Sequence, residues 1–593
     1  MPTLGANFAA FADAPQERRR ESRLLLRRIG VSFALCVALT LAWRAAEIHP
    51  SALFNQTALA SVSAFLRGLF PPDVSPAFLR IVLAAIAQTV AIAVAGTALS
   101  ILIGLPLGAL STATLYRRGV LLAGEKRGAG WWLLFAMSHA TRALLGFLRA
   151  VPDLVWGILF VVAVGLGSLA GTLALAISYG GVLGRVYAHV FEEVDSRPLE
   201  ALHASGATRT QVFLRAIWPQ AKPNLTAYTL YSFECCVRAA SVLGFVGAGG
   251  IGYEINLSMR LFQYDQVLTL IMAFIALLTA TDMLSRKARR RLRGTTSSAR
   301  SQFYLPSTPN ESARRRAGAA TVRLRNSALV LISALLLIWS LYATGFANGA
   351  LLETGVCTRI ARFIGAMFPL DLEPTFLRSL IVPLYQTLGI SLVGTALGII
   401  IGAALALPAT ATLVFVGSDA AGRRSWAGSL ARLLVYHSTR LVLNALRSIP
   451  ELVWVLLCIL AVGLGPFAGA LAIGLHTGGV LGKLYAEILE EVPTRPLEAL
   501  QASGARPLQV LLWGIWPQAR PLLMSYTVLR WEMNLRVSTI LGLVGGGGLG
   551  LAIYNNVQLG FYPRVATLVL IIYALVVTTD WFGDRLRVRS ASV

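Results

Sequence analysis

Shifted by 298 residues, the second part of this chain repeats the first without a gap. From Arg149 and Arg447 onward, RAVPDLVW faces RSIPELVW, GGVLGRVYA faces GGVLGKLYA and LGFVGAGGIG faces LGLVGGGGLG. The register also holds upstream, from Leu79 against Leu377 through Gln88-Thr89 against Gln386-Thr387. Long apolar runs punctuate the repeat, so the chain folds as two like bundles of membrane length. In the first half the runs fall near residues 29–47, 79–112, 151–167, 169–187, 224–246 and 266–284, and the plan returns from about Ser327. Six spans per half is an even number, so both halves insert the same way up, as a parallel repeat about an axis along the membrane normal. The expected architecture is an all-α polytopic membrane protein of two parallel six-helix repeats, about twelve spans in all.

Composition excludes a soluble domain: 56% of 593 residues are hydrophobic, 13% are charged and the mean hydropathy is +0.67. The net charge of +24 does not point to nucleic acid, because the basic residues sit in short clusters between spans, where they set orientation. Arg18, Arg19, Arg20, Arg23, Arg27 and Arg28 precede the first run; Arg117, Arg118, Lys126 and Arg127 follow the second, Arg185 the fourth, and Lys287 to Arg293 the sixth. With a cytoplasmic start, every cluster lands on one face, and both termini are cytoplasmic. Residues 1–284 read as the first half, 285–326 as a basic linker rich in Ser, Thr and Pro, and 327–593 as the second half. Trp131–Arg149 and Trp426–Arg447 read as helices at the inner interface whose His139, Arg142, Arg432, His437 and Arg440 reach lipid headgroups. The segments 46–78 and 343–376 read as short extracytoplasmic connections. Cys36, Cys235, Cys236, Cys357 and Cys458 form no CxxC and no metal-ligand spacing, and no metal site is expected.

One polar insert occurs twice, within 190–223 and 488–521: EALHASGATRTQVFLRAIWPQAKP from Glu200 and EALQASGARPLQVLLWGIWPQARP from Glu498. A helix stopping at Ser-Gly and a second segment running to Trp-Pro predict two short helices across the inner face. The insert resembles the cytoplasmic coupling loop of ATP-binding-cassette (ABC) importer permeases. Glu200, Ala201, Gly206 and Pro219 match that family's pattern, as do Glu498, Ala499, Gly504 and Pro517; a Leu follows the Glu-Ala, the isoleucine falls one place late, and Trp precedes the proline. The resemblance implies the type I ABC importer permease fold, with these residues docking on two copies of a separate ATPase subunit that carries ATP and Mg.

The segments RSIPELVW, GPFAGALAIGLHTGGVLGKLYAEILEEV and YTVLRWEMNLRVSTILGLVGGGGLG are similar to the phosphonate-uptake permeases of bacterial ABC importers; GSLAGTLALAISYGG and SFECCVRAAS in the first half depart from them. This implies an inner-membrane location, a periplasmic solute-binding partner, and phosphonate, phosphite or phosphate as the small oxyanion carried. The family pairs two chains, and here the pair is fused.

The fifth span of each half carries Glu234 with Arg238 and Glu532 with Arg536, one turn apart near mid-membrane. One reading is a pair that satisfies itself; the other places Arg238 and Arg536 across a pore that favours anions. Gly96, Ser100, Gly104 and Gly108, with Gly394, Gly398, Gly402 and Ala406, form small-residue ridges for close helix packing. Gly247, Gly249, Gly250 and Gly252, and Gly545, Gly547, Gly548 and Gly550, follow a membrane helix with no βαβ context, so they read as irregular backbone at the outer mouth rather than a dinucleotide loop. No GxxxxGK[ST] occurs and no catalytic constellation is found, so the chain reads as a permease and not an enzyme, with no cofactor of its own. The rival class is a twelve-helix secondary transporter of the major facilitator type.

Overall fold

The computed structural model describes residues 30, 33–34, 36–113, 129–301, 327–328, 330–346, 354–415 and 426–591. The arginines at 18 to 28, the cluster at 117 to 127 and the linker stretch 302–326 lie outside the described residues. In the first half the principal helices are α1 (Cys36–Ala45), α2 (Gln56–Gly68), α3 (Pro76–Ser111), α4 (Ala129–Ala150), α5 (Asp153–Val164), α6 (Ser168–Glu192), α7 (Ser196–Ala204), α8 (Trp218–Leu243), α9 (Ile251–Arg260) and α10 (Tyr264–Ser301). The second half repeats them as α11 (Val330–Ala343), α12 (Thr354–Ala366), α13 (Pro374–Ala409), α14 (Trp426–Ser448), α15 (Glu451–Val462), α16 (Pro466–Glu490), α17 (Thr494–Ala502), α18 (Trp516–Leu541), α19 (Gly548–Gln558) and α20 (Tyr562–Ala591). Among the described residues, seven helical runs are long and apolar enough to cross a membrane and three bent pairs bring the number to ten. The shorter apolar helices α1 and α11 stand where the first span of each half is expected, but at 10–17 described residues they fall short of a core about 30 Å thick.

The small-residue ridges hold each bundle together. Around Gly104 and Gly108, α3 meets α6 so closely that a Cβ on Gly104 would stand 2.9 Å from the Gly184 nitrogen, and Gly402 meets Gly482 of α16 in the same way. Ser100 between them donates to the Leu175 carbonyl at 3.1 Å. Backbones in contact gain the dispersion that replaces the hydrophobic drive in lipid.

Two expectations change here. The third span is not 151–167 alone: α5 has 12 residues, about 18 Å, short of a core about 30 Å thick. It continues from α4 through a bend of 89° at Val151-Pro152, and α14 and α15 meet at 95°. Nor does α4 lie free at the headgroups, since Leu145 and Leu148 pack on Gly184 and Gly181 of α6. Arg142 turns inward to Glu192 and the Ser111 carbonyl, and Arg440 to Glu490 at 2.7 Å and the Ala409 carbonyl. Those carboxylates also accept from the amides of Ala113 and Ala411 that end α3 and α13, so each arginine has inward acceptors enough to forgo lipid.

The halves exchange their first helices. Ala42 and Ala45 of α1 lie on Gly389 of α13, and Ser340 of α11 donates to the Ala91 carbonyl of α3. The outer connections contain α2 and α12, which pack on α15 and α5 of the opposite half. One buried core consequently runs through both halves.

Candidate functional site: coupling elements and a cationic interface

In the first polar insert, Asp195 caps α7 by accepting from Arg197 N at 3.1 Å. The helix stops at Gly206, whose φ of +82° only glycine adopts without strain; Gly504 has +83°. Thr208 and Gln211 then form a capping box. The second short helix expected here is not separate. From Arg209 the chain passes through a widened turn at Phe213–Ile217 straight into α8, and Val510–Ile515 does the same before α18. The widened turn absorbs Pro219 and Pro517, which donate no N–H, and the side chains of Gln220 and Gln518 donate to the carbonyls of Ala216 and Gly514. Glu200, Ala201, Gly206 and Pro219 are all exposed, as are Glu498, Ala499, Gly504 and Pro517. Leu214, Trp513 and Trp516 are exposed beside them.

Gly206→Val combined with Gly504→Val forces two β-branched residues into the left-handed region, at about 1–2 kcal/mol each. Uptake is expected to fall sharply with the spans still folded, read by transport together with recovery of monodisperse protein.

Deeper in the membrane, Glu234 and Arg238 do not pair along α8. Glu234 Oε1 meets Arg289 of α10 at 2.8 Å, and Glu532 Oε1 meets Arg587 of α20 at 2.9 Å. Each glutamate therefore bonds outward within its own half, while the arginine one turn later faces the junction between halves. Arg536 binds Asp580 of α20 at 2.6 Å, and Asp580 also takes Arg149 of the first half at 3.0 Å. Arg185 lies within electrostatic reach of Arg149. In the mirror position, Arg447 lies within reach of Arg238, Asp282 and Arg286. Arg238 is exposed and makes no ion pair among the described residues. Arg238 and Arg536 are thus brought to one interface but in unlike states, one unpaired and one neutralised.

At the end of the bundle away from Gly206 and Gly504, a cavity of about 630 Å³ is lined in matched pairs such as Phe245 and Leu543, Gly247 and Gly545, and Arg260 and Gln558. The remaining glycines serve close packing. The amides of Gly250 and Ile251 donate to Gln88 and Thr89, and those of Gly548 and Leu549 to Gln386 and Thr387. A Cβ on Gly249 would meet Gln88, and one on Gly547 would meet Pro466. Gly252 and Gly550 press on the carbonyls of Ser241 and Thr539.

Sequence reasoning missed Arg149 and Asp580, and also a buried group in the second half, Glu451, His476 and Arg530. The signal was available: at the 298-residue shift His476 and Arg530 stand opposite Ser178 and Ser232.

The model of the binding-protein-dependent transport system inner membrane component matches twice, at residues 119–294 and 414–590. The phosphate-import permease protein PhnE of Mycolicibacterium smegmatis is 29% identical over 552 residues, 92% of each chain. The phosphite transport system permease protein PtxC of Stutzerimonas stutzeri is 37% identical over 228 residues, covering 38% of this chain and 76% of its own. The putative cryptic phosphonate transport system permease protein PhnE2 of Escherichia coli is 38% identical over 117 residues, 20% of this chain and 96% of its own. Each half carries the family match, which sets aside the major facilitator alternative. Such permeases work with an ATPase and a solute-binding protein. The duplicated match, the all-helical bundles and the paired inner elements agree, and the chain belongs to the binding-protein-dependent inner membrane component family, as a multi-pass ABC importer permease with two copies of the domain fused.

Proposed function

We propose that this chain forms the whole translocation path of an ATP-driven importer for a small oxyanion, phosphonate first, with phosphite and phosphate as the near alternatives. The observation that carries this reading is the positive surplus between the halves. Arg149 and Arg536 share one carboxylate, Asp580, with Arg185 within electrostatic reach of Arg149, and Arg447 lies within reach of Arg238 and Arg286 as well as of the carboxylates of Asp282 and Glu487. Cations held between membrane helices are costly and face a polar path, where they favour anions. The relatives bear names of phosphate, phosphite and phosphonate transport, which narrows the oxyanion to phosphorus chemistry.

In this reading the protein lies in a bacterial inner membrane with both termini cytoplasmic. One ATPase subunit docks on each coupling element, ATP and Mg stay on those subunits, and a periplasmic binding protein delivers solute to the outer cavity near Gly247 and Gly545. ATP binding draws the two elements together, and the halves rock between inward-open and outward-open states. The test is competition in cells that express the full system. Uptake of radiolabelled phosphate should be suppressed by methylphosphonate or phosphite and left alone by sulfate and by amino acids. Suppression by an amino acid and by none of the phosphorus anions would overturn the reading.

A further inference from the structure

Pseudo-symmetry also fails at a largely buried polar group of the second half. Glu451 opens α15 just after the bend from α14, and its Oε1 lies 2.9 Å from Nε2 of His476 and 3.6 Å from Nη2 of Arg530. The same positions in the first half are Asp153, Ser178 and Ser232, and Asp153 makes no ion pair among the described residues. Asn534, one turn beyond Arg530 on α18, accepts from Thr477 at 3.0 Å and donates to Thr395 at 2.9 Å. Its counterparts are Cys236, Tyr179 and Thr97, where a thiol hydrogen-bonded to Thr97 takes the place of the amide that links two hydroxyls.

Arg530 is largely buried, with only 15% of its side chain exposed, yet its capacity is not used. Neither Nε nor Nη2 has a hydrogen-bond acceptor. At 3.6 Å, Glu451 balances the charge without satisfying the donors, and Nη1 rests against the Met533 sulfur at 3.8 Å. Unmade hydrogen bonds on a buried guanidinium are expensive, and a second acceptor entering the site would recover them. Across the interface, Arg238 lies within electrostatic reach of Arg530. His476 is fixed from behind by the contact of Nδ1 with the Ile449 carbonyl at 3.0 Å, which aims Nε2 at the same spot.

We propose that Arg530 and His476 form a single oxyanion-binding site, held by the second half with Arg238 adding positive charge from across the interface, in which the Glu451 carboxylate occupies the place of the substrate until a tetrahedral anion displaces it. The proposal rests on the oxyanion reading above and adds where the anion sits and why there is one site. A phosphorus oxyanion offers three oxygens, enough for Nε and Nη2 of Arg530 and Nε2 of His476 together; a carboxylate offers two. The displaced Glu451 remains at the amino end of α15, where the helix dipole favours negative charge.

The experiment uses the full transporter with its ATPase and binding protein in proteoliposomes, with radiolabelled inorganic phosphate and methylphosphonate as probes. Arg530→Gln is expected to raise KM by about tenfold or more, with ATP hydrolysis still stimulated by the binding protein. Glu451→Gln is expected to lower KM several-fold, because a competing anion is gone. Ser232→Ala, at the first-half counterpart of Arg530, should leave KM unchanged. A shift in opposite directions is something a merely structural ion pair does not produce. Equal loss of uptake and of stimulated ATP hydrolysis in Arg530→Gln and Glu451→Gln overturns the site, as does an unchanged KM in Arg530→Gln. If the unaltered protein carries neither probe, the oxyanion reading itself fails and takes the site with it.

Discussion

Gly252→Ala is expected to abolish a correctly folded outer mouth. An added Cβ would overlap the Ser241 carbonyl oxygen, and the obstacle is backbone rather than a side chain that could turn away. Gly244 faces the same crossing from the other side, where a Cβ would stand 2.5 Å from the Tyr253 nitrogen. Overpacking a filled core costs about 1–3 kcal/mol when side chains can adjust, and more where they cannot, so a loss of about 3 kcal/mol or more is expected. Gly550→Ala meets the Thr539 carbonyl and should behave alike. Gly146→Ala is the control: it lies in α4 with nothing within 4 Å of the added carbon, and should be neutral or stabilising by about 1 kcal/mol. Yield of monodisperse protein and its aggregation temperature in detergent check all three.

The second large effect belongs to Asp580. It joins Arg149 of one half to Arg536 of the other, with side chains only 21% to 27% exposed. Asp580→Asn leaves two largely buried guanidinium groups facing each other without a counter-charge. Breaking a buried pair costs about 3–5 kcal/mol, and the remaining exposure lowers the expectation to about 2 kcal/mol. Asp282→Asn, its mirror, should cost much less, because Asp282 bonds Arg286 one turn away on an exposed helix face. A matching loss of thermal stability in the two variants would contradict the bridging role assigned to Asp580.

The bundle architecture was legible because its causes are local. Runs of apolar residues mark spans, and Gly104, Gly108 and Gly402 at four-residue spacing mark faces that touch. The turn at Gly206 was legible for the same reason, since a positive φ is a property of its own backbone, whereas the second short helix expected before Pro219 merged with α8. Pairings between distant helices were not. Spacing alone offered Glu234 the arginine at Arg238, whereas packing supplied Arg289 from α10 at 2.8 Å. The inner interface misled for a related reason: Arg142 looks like a headgroup anchor until Glu192, fifty residues away in sequence, arrives beside it. The bend at Pro152 turned one expected interfacial helix and one expected span into a single broken path.

The most direct test of the central claim, a fused permease driven from its inner face by separate ATPase subunits, is phosphate uptake into proteoliposomes holding the purified transporter with its ATPase and binding protein. Uptake is expected only when ATP is supplied on the side of Gly206 and Gly504, with about two ATPase subunits recovered per chain. Uptake that continues without ATP and follows an imposed proton gradient would contradict the account.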